Sequence, residues 1–190
     1  DPPRQPFPYK AIPHGALVGQ MVDALKTQGL HPAPLPLGLI RPGEPGGCIL
    51  CDTCNSFPCR IHAKGDAEVC GVTPALSKGR VELWTDAYAD RLITDPTGRR
   101  VTAVEVTRNG TPERIEADHV IVSCGAVNSA ALLLRSRTRA HPDGLANSSG
   151  LLGRRYMAHL ATMVSGIMLA PWRRNTTTFQ KTVAINDFYF

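Results

Sequence analysis

Apolar positions recur along this chain in two rhythms. Between residues 14 and 29, Leu17, Met21, Ala24 and Leu25 fall at helical spacing with Val18 and Val22 beside them, and Gly29 follows as a stop; one amphipathic helix is predicted. From residue 81 the rhythm shortens. Strands are predicted at 81–84, 88–94 and 101–108 and near 113–116, with turns at Asp95-Pro96-Thr97-Gly98 and Asn109-Gly110, which makes a small antiparallel ribbon. The run His119-Val120-Ile121-Val122-Ser123-Cys124 is β-branched and nearly continuous, as expected for a strand covered on both faces, and Cys124 in it reads as a small buried hydrophobe. Gly125 then turns the chain into an apolar helical segment carrying Leu132, Leu133 and Leu134, which Asn128 or Ser129 can cap. A glycine at such a turn lets backbone approach a flat or phosphorylated ligand, although an ordinary strand–turn–helix junction has the same pattern.

Three segments in order carry a resemblance. Gly125-Ala126-Val127-Asn128-Ser129-Ala130-Ala131-Leu132-Leu133-Leu134-Arg135-Ser136 resembles the GAxxSPxLLLxSG segment of the glucose–methanol–choline (GMC) family of FAD-dependent oxidoreductases, with Ala130 in place of proline and Arg137 in place of glycine. Val81-Glu82-Leu83-Trp84-Thr85-Asp86-Ala87-Tyr88-Ala89-Asp90-Arg91-Leu92 is similar to the family's strand pair around T-x-A-x-V-x-R-I. The stretch from Asn147 through Gly153-Arg154-Arg155-Tyr156-Met157-Ala158-His159 resembles its G-x-N-L-x-D-H segment, with Arg155 for asparagine and Ala158 for aspartate.

The resemblance implies an α/β (α+β) fold: part of an FAD/NAD(P)-binding-type domain with an antiparallel β-meander, then the start of a substrate-binding domain. The division it suggests is an extended Pro-rich segment with one helix at 1–47, a Cys-rich loop and following segment at 48–80, the FAD-domain portion at 81–140, and the start of the substrate domain at 141–190, where 161–170 and 182–186 read as strands reached through a loop at 141–150. It also implies main-chain contact between Ala89 and the adenine of FAD, with Gly125 and Ala126 against the cofactor. The activity implied is oxidation of a CH–OH group on a small-molecule alcohol or sugar; a cytochrome or quinone is a candidate electron-acceptor partner, and the residues leave oxygen, quinone and cytochrome open. The family's G-x-G-x-x-G turn and its catalytic histidine do not occur in these residues, so no catalytic residue is expected here and an internal fragment, inactive alone, is the expectation.

Four of the six cysteines form a run, Cys48-x2-Cys51-x2-Cys54-x4-Cys59. Such density suits an iron–sulfur cluster, zinc or a disulfide-stapled loop, and the residues leave these open; the alternative function is a metal-binding or electron-transfer module. In the family's membrane-linked dehydrogenase branch, cysteines at this place hold an iron–sulfur cluster, and Cys59-Arg60-Ile61-His62-Ala63-Lys64 is similar to the family's C-x-x-x-A-K. His159 reads as a buried hydrogen-bonding histidine, and no Ser-His-Asp order supports a hydrolase.

Charge changes the picture little. The net charge of +5 resides in the second half, but Arg99-Arg100, Arg154-Arg155 and Arg173-Arg174 are scattered and not interleaved with stacking aromatics, so no nucleic-acid partner is expected. No apolar run is long enough for a transmembrane segment. The expected location is the cytoplasm, with the periplasmic face of a membrane as the alternative.

Overall fold

A computed structural model describes residues 7–51, 53, 57–159, 161, 179 and 182–188. In chain order the elements are α1 (Ala16–Thr27), β1 (Ala33–Pro34), one π-helical turn (Glu68–Val72) running into α2 (Thr73–Ser77), β2 (Ala87–Thr94), β3 (Val101–Arg108), β4 (Thr111–Glu116), α3 (Gly125–Arg135) and β5 (Val183–Ala184). They divide into two units, Asp1–Glu82 with Gly166–Phe190, and Leu83–Ser165.

In the second unit β2, β3 and β4 form an antiparallel meander in that order. Its turns follow from local chemistry. Asn109 and Gly110 both have positive φ, 49° and 78°, the backbone a two-residue type I′ hairpin needs. In the β2–β3 turn the Asp95 carboxylate accepts the Thr97 hydroxyl and the Arg99 N–H, which holds it below the usual carboxylate range. The register slips twice, at Asp90, since Ala89 pairs with Val106 while Arg91 pairs with Glu105, and again near the turn, where Ile93 pairs with Ala103 and Thr94 with Val101. The first bulge leaves Asp90 outside the ladder, where its carboxylate accepts the Thr107 hydroxyl at 2.8 Å.

Behind the meander, Leu92, Leu132 and Leu145 form the core, with Ala89, Val101, Val104, Val120, Val122 and Leu133 packed around them. The stretch 119–123 joins no sheet among the described residues, and only its alternate members Val120 and Val122 pack against the core. The expected two-sided cover is therefore absent: Ile121 is 86 % exposed, because nothing described lies on its side of the chain. Cys124, at the outward bend that follows, is exposed rather than buried. Residues 81–84 form no strand either; Val81 and Leu83 are exposed, and Trp84 takes the Arg108 guanidinium over its ring at 4.1 Å. The loop after α3 folds back onto it, with the Leu145 N–H bonded to the Leu133 carbonyl at 2.9 Å.

The first unit has less regular structure. α1 ends in a Schellman pattern, Leu30 N–H to Leu25 C=O with Gly29 at φ 78°, as the glycine predicts. Its inward stripe is Val18, Val22 and Leu25, whereas Leu17 and Met21 are exposed. Both stripes are apolar, and packing selects between them. β5 covers part of the strand expected at 182–186 and pairs with β1, and the strand expected at 161–170 lies, beyond its first residue, outside the described residues. The proline-rich 7–13 stretch lines a groove of about 460 Å³ with residues 34–42.

Candidate functional site

Among the residues singled out by sequence, Ala89, Gly125 and Ala126 belong to one strand–helix pair. Gly125 opens α3 at φ 75°, and a Cβ built there would meet nothing within 4 Å, so the glycine serves both the turn and an open approach. No side chain caps the first turn of α3, and no acidic residue lies in it. Ser129 acts one step earlier, its hydroxyl accepting the N–H of Cys124 at 3.0 Å. Gly125 and Ala126 are exposed, so their end of the helix presents main-chain donors and the positive end of its dipole to solvent.

Ala89 stands at the other end of the same helix, on the edge of β2 that no strand among the described residues covers. Two side chains from the last turn of α3 and the residue after it close this edge. Ser136, fully buried, accepts the Leu92 N–H at 2.9 Å and donates to the Leu132 carbonyl at 2.7 Å. Arg135 donates from Nη2 to the Ala89 carbonyl and from Nε to the Asp90 carbonyl, each at 3.2 Å, and lies 5.2 Å over the Tyr88 ring. Beside it Tyr88, Asp90, Arg91, Leu134, Arg135 and Arg137 line an open hollow of about 580 Å³. Arg91 is paired with Glu105 at 2.7 Å. Sequence reasoning passed over Arg135; its place three residues beyond Leu132, in the last turn of a helix packed on β2, was the available signal.

At about 1.5 Å of rise per residue, Gly125 and Arg135 are roughly 15 Å apart along the axis. One ligand reaches both ends only if it is elongated, and the ends suit different chemistry: free N–H groups at Gly125, and an aromatic ring with guanidinium groups at Ala89.

The cysteine run lies in the first unit. Residue 40 ties its framework together, the Ile40 N–H reaching the Ala63 carbonyl at 2.8 Å and the Cys48 N–H reaching the Ile40 carbonyl at 3.0 Å. Above all the Ile61 N–H, with those of Ala63 and Lys64, holds the Cys59 thiol below its ordinary value, against burial and the neighbouring Cys51. Cys48, Cys59, Cys70 and Cys124 are in no disulfide, and Cys54 lies outside the described residues. Among the described residues no three His, Cys, Asp or Glu side chains converge on a point where a metal ion would sit. His62, at φ 54°, is exposed, and so is His159, the expected buried histidine, which ends an exposed stretch of chain. No helix among the described residues is long and apolar enough to cross a membrane.

A family model described as GMC oxidoreductase matches residues 10–161. The chain is 35 % identical to the paromamine 6'-oxidase of Streptomyces fradiae over 94 % of its own length and 35 % of the relative's. It is 36 % identical to the 6'''-hydroxyparomomycin C oxidase of Streptomyces lividus over 86 % of its length and 32 % of the relative's. To the fructose dehydrogenase large subunit of Gluconobacter japonicus it is 26 % identical over 83 % of its length and 29 % of the relative's. The chain thus spans about a third of the length of the curated relatives it matches.

Proposed function

Because the chain belongs to the GMC oxidoreductase family, we propose that its 190 residues are an internal part of an FAD-dependent enzyme oxidising a CH–OH group of a small-molecule alcohol or sugar. The observation supporting FAD is the single helix α3, which offers an open, uncapped N-terminus at Gly125 and, roughly 15 Å away, an aromatic and cationic strand edge at Ala89. A dinucleotide is long enough to use both. In this reading the main chain of Ala89 meets the adenine edge, and its change from the family's valine leaves that role intact because no side chain is used. Gly125 and Ala126 admit the cofactor closely because neither projects a bulky group, and the first-turn N–H groups of α3 meet its electron-rich atoms.

When bound, FAD supplies the acceptor for hydride from the substrate carbon. The residues here bind and orient it; the base that takes the hydroxyl proton belongs elsewhere in the complete enzyme. Residues 81–140 are then the FAD-domain portion, whose core Leu145 completes, and the substrate domain starts beyond that residue, within 141–190. The names of the two Streptomyces relatives make an aminoglycoside hydroxyl the first substrate to try. Purification of the complete polypeptide with FAD, followed by anaerobic addition of paromamine, simple sugars and simple alcohols, tests the proposal. Bleaching of the visible flavin band by one of them is expected, and re-oxidation by oxygen, a quinone or a cytochrome then identifies the acceptor. A polypeptide that takes up no FAD overturns the flavin reading; bound FAD that none of these hydroxyl compounds bleaches overturns the substrate class.

A further inference from the structure

We infer that Arg135 is a positioning residue for the dinucleotide, fixing the backbone of Ala89 and Asp90 at the β2 bulge so that Ala89 presents its main chain to the adenine. The inference rests on the flavin reading above and goes beyond it, since none of the motifs that led there assigns Arg135 a role.

A bulge is where a strand loses its pairing, and here it falls at Asp90, between Ala89 and Arg91, which still pair with β3. The ladder therefore does not hold the Asp90 backbone, although Thr107 holds its carboxylate, and among the described residues no strand covers the far side of β2. Arg135 takes over that task. Its Nε and Nη2 span the two successive carbonyls, Asp90 and Ala89, at 3.2 Å each, and stacking over Tyr88 fixes the guanidinium plane. The planar fork sets the relative orientation of two peptide groups, which one rotating ammonium cannot do. A carbonyl oxygen has two lone pairs, so Arg135 uses one at Ala89 and leaves the other for a ligand donor. Ser136 supports the same edge at Leu92 without touching Ala89, and the pair separates positioning from general support.

Three variants of the complete polypeptide, R135A, R135K and S136A, are compared by FAD titration through quenching of flavin fluorescence and by thermal unfolding of the apoprotein. Loss of two charge-assisted hydrogen bonds that set the geometry of the adenine contact predicts FAD affinity about tenfold weaker in R135A. R135K recovers part of the loss. S136A, which strands a buried N–H, lowers the unfolding temperature at least as much as R135A yet keeps FAD affinity near wild type. Wild-type affinity in R135A overturns the role of Arg135, as does a loss in S136A equal to that in R135A, because affinity would then follow stability alone. Wild-type protein that fails to take up FAD overturns the flavin reading and this inference with it.

Discussion

The meander with α3 and the loop from Gly38 to Lys64 are both held by backbone hydrogen bonds, and they use them differently. In the meander, pairing repeats from Ala87 to Glu116 across two short turns, and the helix behind it buries Leu132 against Leu92. In the loop, single bonds at Gly38, Ile40 and Cys48 and one bridge between Leu39 and Lys64 carry the chain, and Ala63 is the residue buried there among those described. Repetition makes the first arrangement cooperative, since each pair positions the next; single bonds leave the second dependent on each one. The proposed FAD site falls on the cooperative part, where the position of a main-chain group is defined by many neighbours.

The strongest way to break the comparison is to hollow out the core. Leu132 is 4 % exposed, and L132A removes a side chain that Leu92 and Leu145 both contact. A cost of about 2–5 kcal/mol is expected for such a deletion. Hydrogen exchange is the measurement. The amides of β2 and β3 should lose protection together, by a common factor, while the amides of Ile40 and Cys48 keep theirs. Loss confined to one or two amides near Leu132 would show that the meander is not the cooperative unit described.

A sharper cut distinguishes the two turns. Gly98 and Gly110 both have positive φ, but a Cβ on Gly98 would lie 2.8 Å from the Ala140 Cβ and 2.9 Å from His141 Nε2, while one on Gly110 meets nothing within 4 Å. His141 Nε2 also shares a hydrogen bond of 2.8 Å with the Gly98 carbonyl. G110A should cost about 1 kcal/mol, the backbone penalty alone. G98A adds the displacement of His141 and should cost more, on the order of 1–3 kcal/mol. Denaturant midpoints rank the two, and movement of the His141 ring resonances in G98A alone confirms the cause. Equal midpoints would mean that the contact of residues 140–141 with the turn contributes nothing.

What could be read from sequence was what local chemistry decides. Asn109-Gly110, Asp95-Pro96-Thr97-Gly98 and Gly29 each fixed a turn or a stop, because their backbone conformations are residue-specific. Gly125 was legible as a turn for the same reason, whereas a cofactor contact at Ala89 is implied by the resemblance alone. The misses concern what lies on the other side of a residue. Val18, Val22 and Leu25 against Leu17, Met21 and Ala24 is a choice between two apolar stripes that only a tertiary partner settles. Ile121 and Cys124 are in a strand-like run, but burial needs a neighbour that no period-2 pattern supplies. The helical turns at 68–77 escaped notice although Asp66 signals them, its carboxylate accepting the Val69 N–H at 3.0 Å. Arg135 was hidden because its role depends on a bulge in another element.

The smallest effect belongs to the short ladder of the first unit, where a charge supplements two residue pairs. The Asp187 carboxylate accepts His31 Nδ1 at 2.6 Å and the His31 N–H at 3.1 Å, which together hold it below the usual carboxylate range. A depressed carboxylate contributes stability at every pH above its unfolded value, about 4, and that contribution disappears as pH falls through the lower folded value. His31 is 87 % exposed, so solvent screens the pair and the gain is modest. The readout is exchange of the Leu35 N–H, which bonds the Thr182 carbonyl at 2.9 Å beside β1 and β5. In wild type its protection should hold at neutral pH and fall below about pH 4. D187N keeps an acceptor and loses the charge, so its protection should be slightly lower at neutral pH and should lack that added fall. Identical pH profiles in the two proteins would show that the β1–β5 pairs and the His14–Thr182 hydrogen bond hold this ladder without help from the charge.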